Sequence, residues 1–151
     1  MKLICGIDPG KRGGIAMMDS HEIRLHPYSD ETLLNLMPVL HRYNGIVIVE
    51  KQWARPGQSI SATFLLGEEY GFIKGVIEAY GVNYGTIAPQ VWKKEFGVTS
   101  DKQSSIDMAK KLYPGINLLP TKRSRKDSDG MAEALLIAEW GRRNYDRYRK
   151  D

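Results

Sequence analysis

Residues 46 to 50 read Ile46-Val47-Ile48-Val49-Glu50, four consecutive β-branched residues closed by one acid. A run without polar alternation requires burial on both faces, so this segment is expected to be a central strand of a sheet covered on two sides. A second apolar run, Leu3-Ile4-Cys5-Gly6-Ile7-Asp8, also closes on an acid and is ended by Pro9-Gly10. Gly13 to Met18 reads as its hairpin partner, and His21 to His26, before Pro27, as a third, edge strand.

From Asp30 to about Tyr43, Leu33, Leu34, Leu36, Met37 and Leu40 recur at helical spacing, with Pro38 expected to kink or split the helix. Beyond Glu50, residues 51 to 60 read as a loop and residues 61 to 80 as a long helix. Gly67, Gly71 and Gly75 recur on that helix at every fourth position, a spacing that points to close approach of another helix, within the fold or across a dimer interface. A strand is expected near residues 84 to 88, then helices over 89 to 96, 101 to 112 and 130 to 145. The order, three strands followed by alternating helices and strands, describes an α/β fold with a mixed sheet and helices on its faces.

The chain has 151 residues, 42% apolar and 26% charged, which fits one domain spanning residues 1–151. Cys5 is the single cysteine and lies in an apolar run, so a buried, inert thiol in a reducing, cytoplasmic compartment is expected. The N-terminal apolar stretch is too short for a signal peptide, and no run approaches the roughly 18 apolar residues of a membrane span. The net charge of +4 permits a polyanionic partner. Its placement is uneven: Lys122, Arg123, Arg125 and Lys126 crowd into five residues, and the tail carries Arg142, Arg143, Arg147, Arg149 and Lys150. A solvated face explains such runs equally well.

Asp8 and Glu50 each end an apolar strand, where an α/β sheet opens toward ligands. On neighbouring strands about 4.8 Å apart, both carboxylates would enter one crevice, and a bound cation would relieve their repulsion. Asp129 and Glu133 lie four residues apart near the start of the last helix. Capping and the helix dipole account for acids there, but Glu133 sits between Ala132 and Ala134, beside the apolar stripe, and a buried carboxylate needs a partner. His21, His26 and His41 show no ligand spacing, so an all-carboxylate pocket suits Mg²⁺ or Mn²⁺ rather than zinc. A pair of such cations supports phosphodiester hydrolysis.

Four stretches carry a family resemblance: Gly6-Ile7-Asp8-Pro9-Gly10; Val49-Glu50; Ala88-Pro89-Gln90-Val91-Trp92-Lys93-Lys94 with the Lys102 segment; and Ala132-Glu133-Ala134-Leu135-Leu136-Ile137-Ala138. In this order, over nearly the whole chain, they resemble RuvC-type Holliday junction resolvases, and the last stretch looks closer to phage and organellar members. The resemblance implies an RNase H-like fold with a five-stranded sheet whose first three strands are antiparallel. It further implies a homodimer that makes paired, Mg²⁺-dependent nicks across a four-way DNA junction, in a bacterial cell or phage-infected host, without a nucleotide cofactor. By position, Asp8, Glu50 and Glu133 match metal ligands for two Mg²⁺, with Mn²⁺ as a substitute. The family's remaining Asp falls on Gly130, so Asp129 is taken as the fourth catalytic and metal-binding acid, with Asp127 in reserve. Trp53 falls where the family stacks an aromatic on an unpaired base, and Lys93, Lys94 and Lys102 lie in phosphate-contacting segments. Lys51, Arg55, Lys122, Arg123, Arg125 and Lys126 would extend that surface.

Two other readings stay open on sequence: a junction-binding protein that has lost catalysis through the shifted fourth acid, and an RNase H-like nuclease of flaps, forks or RNA–DNA hybrids. A sugar-kinase or actin-like ATPase, which also begins Gly-Ile-Asp-x-Gly, needs a second such domain that 151 residues do not hold.

Overall fold

The computed structural model describes residues 2–148; Arg149 and Lys150 of the basic tail lie outside them. Five strands form one mixed sheet in the order β3-β2-β1-β4-β5. β1 (Ile4–Asp8), β2 (Gly14–Met18) and β3 (Ile23–Pro27) make an antiparallel meander. β4 (Ile46–Glu50) and β5 (Asn83–Ile87) add on in parallel with β1. The connection from β1 to β4 includes α1 (Asp30–Arg42), and that from β4 to β5 includes α2 (Ile60–Ala79). After β5 come α3 (Pro89–Phe96), α4 (Lys102–Leu112), α5 (Asp129–Arg143) and a short 3-10 turn, Tyr145–Arg147.

The central strands are buried on both faces, as the unbroken β-branched run requires. Ile4, Ile46 and Ile48 face a core built with α3, α4 and α5, including Trp92, Leu135 and Trp140. Cys5, Ile7, Val47 and Val49 face the opposite core with Leu33, Met37 and Leu40 of α1 and Ile73 and Ile77 of α2. Cys5 is fully buried, which pushes its thiol up to about 12.

Local hydrogen bonds set the element boundaries. The Asp19 carboxylate accepts from the His21 and Glu22 amides, which keeps residues 21 and 22 in a turn and starts the edge strand at Ile23. Ser59 and Ser128 cap α2 and α5 through their hydroxyls. Pro38 does not split α1, which runs unbroken from Asp30 to Arg42. Pro38 and Leu34 lie on the exposed side of α1, where water is available to the Leu34 carbonyl that loses its helical partner. Of the two partners expected for the glycine face of α2, the one within the fold is not found among the described residues: a Cβ on Gly67, Gly71 or Gly75 would meet nothing within 4 Å.

The position of α5 decides the geometry of the site. A Cβ on Gly6 would run into the backbone of Ala134 and Ala138, and one on Gly14 into that of Gly130 and Met131. Glycine at these two strand positions lets α5 lie directly on β1 and β2.

Candidate active site

β1 and β4 are parallel neighbours with Ile7 opposite Val49, so Asp8 and Glu50 emerge side by side at the C-terminal ends of their strands. α5 starts just above those ends, and Glu133 in its first turns projects toward them. Ser128, not Asp129 or Glu133, supplies the helix cap. One carboxylate oxygen from each of Asp8, Glu50 and Glu133 lies within 4.8 Å of the others.

Three acids so close create an electrostatic demand. Burial, and then repulsion from Glu50 and Glu133, holds the Asp8 carboxyl well above the usual aspartate range. Glu50 is also raised, chiefly by burial, although hydrogen bonds from Trp92 and Gln52 and the charge of Lys93 pull the other way. Trp92 Nε1 donates to Glu50 Oε2 at 2.9 Å, and the buried Ser105 hydroxyl of α4 donates to Glu133 Oε1 at 3.2 Å. Lys93 Nζ lies 3.7 Å from Glu133 Oε1. These groups orient the carboxylates but do not neutralise all three. A desolvated all-oxygen set of this kind fits a hard divalent cation such as Mg²⁺ or Mn²⁺.

Asp129 lines the same cleft but stands outside this triad, with its carboxylate 2.9 Å from Lys102 Nζ. Asp127 is paired with Lys110 and does not line the cleft. Lys93, Lys102 and Arg55 line the cleft with the acids. Lys94 and Trp53 line a shallower groove that shares Arg55, Lys93 and Ser100 with it. Trp53 is 38% exposed, with the Arg55 guanidinium over its ring, so it is not a core residue. Lys51 and the exposed Lys122, Arg123, Arg125 and Lys126 line neither the cleft nor the groove.

The sequence reading did not single out Trp92, Ser105, Arg12, Gln52 or Ser100 as site residues. Arg12 and Ser100 line the cleft from the β1–β2 turn and the α3–α4 connection, and Gln52 lies two residues past Glu50. Two cations in the turn directly after Asp8, Lys11 and Arg12, were the available signal for Arg12. Nothing in the local pattern reports that the Trp92 indole reaches an acid 42 residues away.

No protein-family model and no curated protein matches the chain. Among solved structures, Thermus thermophilus RuvC in complex with a Holliday junction substrate superposes with a TM-score of 0.59 at 18% identity, over 95% of this chain and 96% of that one. A second Thermus thermophilus RuvC structure gives 0.57 at 19% identity, over 95% and 96%. The yeast mitochondrial Holliday junction resolvase Ydc2 gives 0.54 at 18% identity, over 91% of this chain and 76% of that one. The chain therefore has the RNase H-like fold of the RuvC-type resolvases, in agreement with the expectation from its motifs.

Proposed function

We propose that this chain is one nuclease domain that resolves four-way DNA junctions, acting as a homodimer with divalent metal. The observation that carries the reading is the convergence of Asp8, Glu50 and Glu133 within 4.8 Å at the open ends of β1 and β4. The RuvC-like fold supports it. Asp8, Glu50 and Glu133 would hold two Mg²⁺, or Mn²⁺, with Asp129 as the fourth acid on the rim of the cleft. Bound there, the cations would supply an activated water and stabilise the oxygen leaving phosphorus.

The chain's own residues do the rest. Glu50 is held by Trp92, and Glu133 by Ser105 and Lys93, so these carboxylates are already oriented. Lys93, Lys94, Lys102 and Arg55 offer cations to the backbone phosphates, with Lys51, Lys122, Arg123, Arg125 and Lys126 as outlying contacts. Such contacts give affinity without sequence preference. Trp53, part-exposed beside the groove, offers a platform for an unpaired base, which suits an enzyme that reads branched shape.

For the dimer, α2 leaves Ile60 91% and Phe64 68% exposed, with open space over Gly67, Gly71 and Gly75. A second copy's α2 would cover that face. Phe64→Glu should shift the protein to monomer in sedimentation, and a wild-type monomer at micromolar concentration would contradict this arrangement.

The test of the activity is substrate choice. End-labelled four-way junction, linear duplex, single strand, flap and RNA–DNA hybrid are compared with Mg²⁺ and with EDTA. Paired symmetric nicks confined to the junction and abolished by EDTA are expected. Preferential cleavage of hybrid or flap would retain the fold and reject the substrate, and junction binding without nicks would favour a non-catalytic role.

A further inference from the structure

Trp92 is fully buried in α3, yet its one polar atom points at a carboxylate of the acidic site. An indole N–H is a donor only and does not titrate, so its bond to Glu50 Oε2 is a fixed constraint. Oε1 is engaged far less, by Gln52 Nε2 at 3.4 Å. The following residue, Lys93, stacks its ammonium over the Trp92 ring and reaches Glu133. One turn of α3 thus contacts two of the three clustered acids.

We propose that Trp92 is a positioning residue: its indole N–H ties down Oε2 of Glu50 and leaves Oε1 as the oxygen offered to a divalent cation. The inference rests on the reading of Asp8, Glu50 and Glu133 as a cation centre. Donors behind a metal ligand fix its orientation, and their loss typically weakens metal binding about 10–100-fold. A buried indole that merely found the nearest acceptor would have no such effect.

The test uses the full chain without DNA. Mg²⁺ and Mn²⁺ binding are measured by calorimetry for wild type, Trp92→Phe and Trp140→Phe, and the indole N–H resonances of the wild type are followed during the titration. Trp92→Phe keeps an aromatic ring and removes the donor. Trp140 is a buried tryptophan of the same core whose aromatic partner is Tyr148, outside the cleft. We expect cation binding by the wild type, a shift of the Trp92 indole resonance on binding, and an affinity loss of about 10–100-fold in Trp92→Phe alone. Unchanged affinity in folded Trp92→Phe overturns the inference. Should that variant not fold, the wild-type resonance decides, since an indole signal that does not move at saturating cation overturns it as well. A wild type that binds neither cation defeats the reading of the site itself, a different failure.

Discussion

Gly130 rests against the backbone of Arg12, so closely that a Cβ at position 130 would run into the Arg12 carbonyl oxygen. This contact seats the start of α5 on the β1–β2 turn and leaves no space for the acid that the motif resemblance would place at position 130. A side chain at 130 has no room, and the neighbouring acid, Asp129, lines the cleft instead. Gly130→Ala should destabilise the protein by about 1–3 kcal/mol through overpacking, read as a lower melting temperature at about 2–4 °C per kcal/mol. Gly130→Asp should not rescue Asp129→Asn in a cleavage assay. Rescue would mean that the turn yields and that the acid at 130 reaches the site.

Asp8 should make the stability of the metal-free protein depend on pH. Its carboxyl is held high by burial and by Glu50 and Glu133, so the folded state keeps a proton that the unfolded chain releases. Stability in EDTA should therefore fall as pH rises from the ordinary aspartate value of 3.8 through the raised one. Asp8→Asn removes this buried charge and should melt higher than wild type at neutral pH, by a gain of about 0.5–2 kcal/mol. A variant that melts lower in EDTA at pH 7 would contradict the crowding of charge seen here.

Glu139 shows the opposite dependence. Burial alone would raise its carboxyl, but hydrogen bonds from Arg142, Tyr113 and Arg143 outweigh it and hold it at about 2. Its contribution is complete above the usual 4.5 and is lost as pH falls toward about 2. Since both arginines are substantially exposed, Glu139→Gln should cost about 1–3 kcal/mol at neutral pH. The gap from wild type should close on acidification, as followed by denaturant melts across pH. A gap that stays constant down to pH 2 would refute the ion-pair account.

Trp53 and the lysines should separate in binding assays. Trp53→Ala is expected to weaken junction binding by about 1–3 kcal/mol with the salt dependence unchanged, as loss of stacking would. Lys93→Ala or Lys94→Ala should instead lower the salt slope by about 1 each. Titrations at several salt concentrations measure both quantities, and a lower salt slope in Trp53→Ala would argue against stacking.

The fold was legible where burial leaves a one-dimensional signature. Ile46–Glu50 and Pro89–Phe96 have the boundaries their composition predicts, and Asp8 and Glu50 are placed simply by ending apolar strands. Glu133 was readable from the small apolar residues beside it, of which Ala134 packs directly on β1. What was not legible depends on distant partners. The Lys102 that pairs with Asp129 is 27 residues away, and the Trp92 indole reaches across 42 residues to Glu50. Of the kink or split expected at Pro38, the split does not occur, since a proline's effect on a helix also depends on surroundings that its sequence position does not report. The α2 glycines left two partners open, because spacing alone does not say whether a partner helix lies in the same chain.

If the clustered carboxylates cut branched DNA but are not needed to bind it, Asp8→Asn should separate the two activities on a labelled four-way junction. Binding and cleavage are measured on the same preparation in Mg²⁺. Wild-type junction affinity with nicking abolished is expected. Wild-type nicking by Asp8→Asn would contradict it.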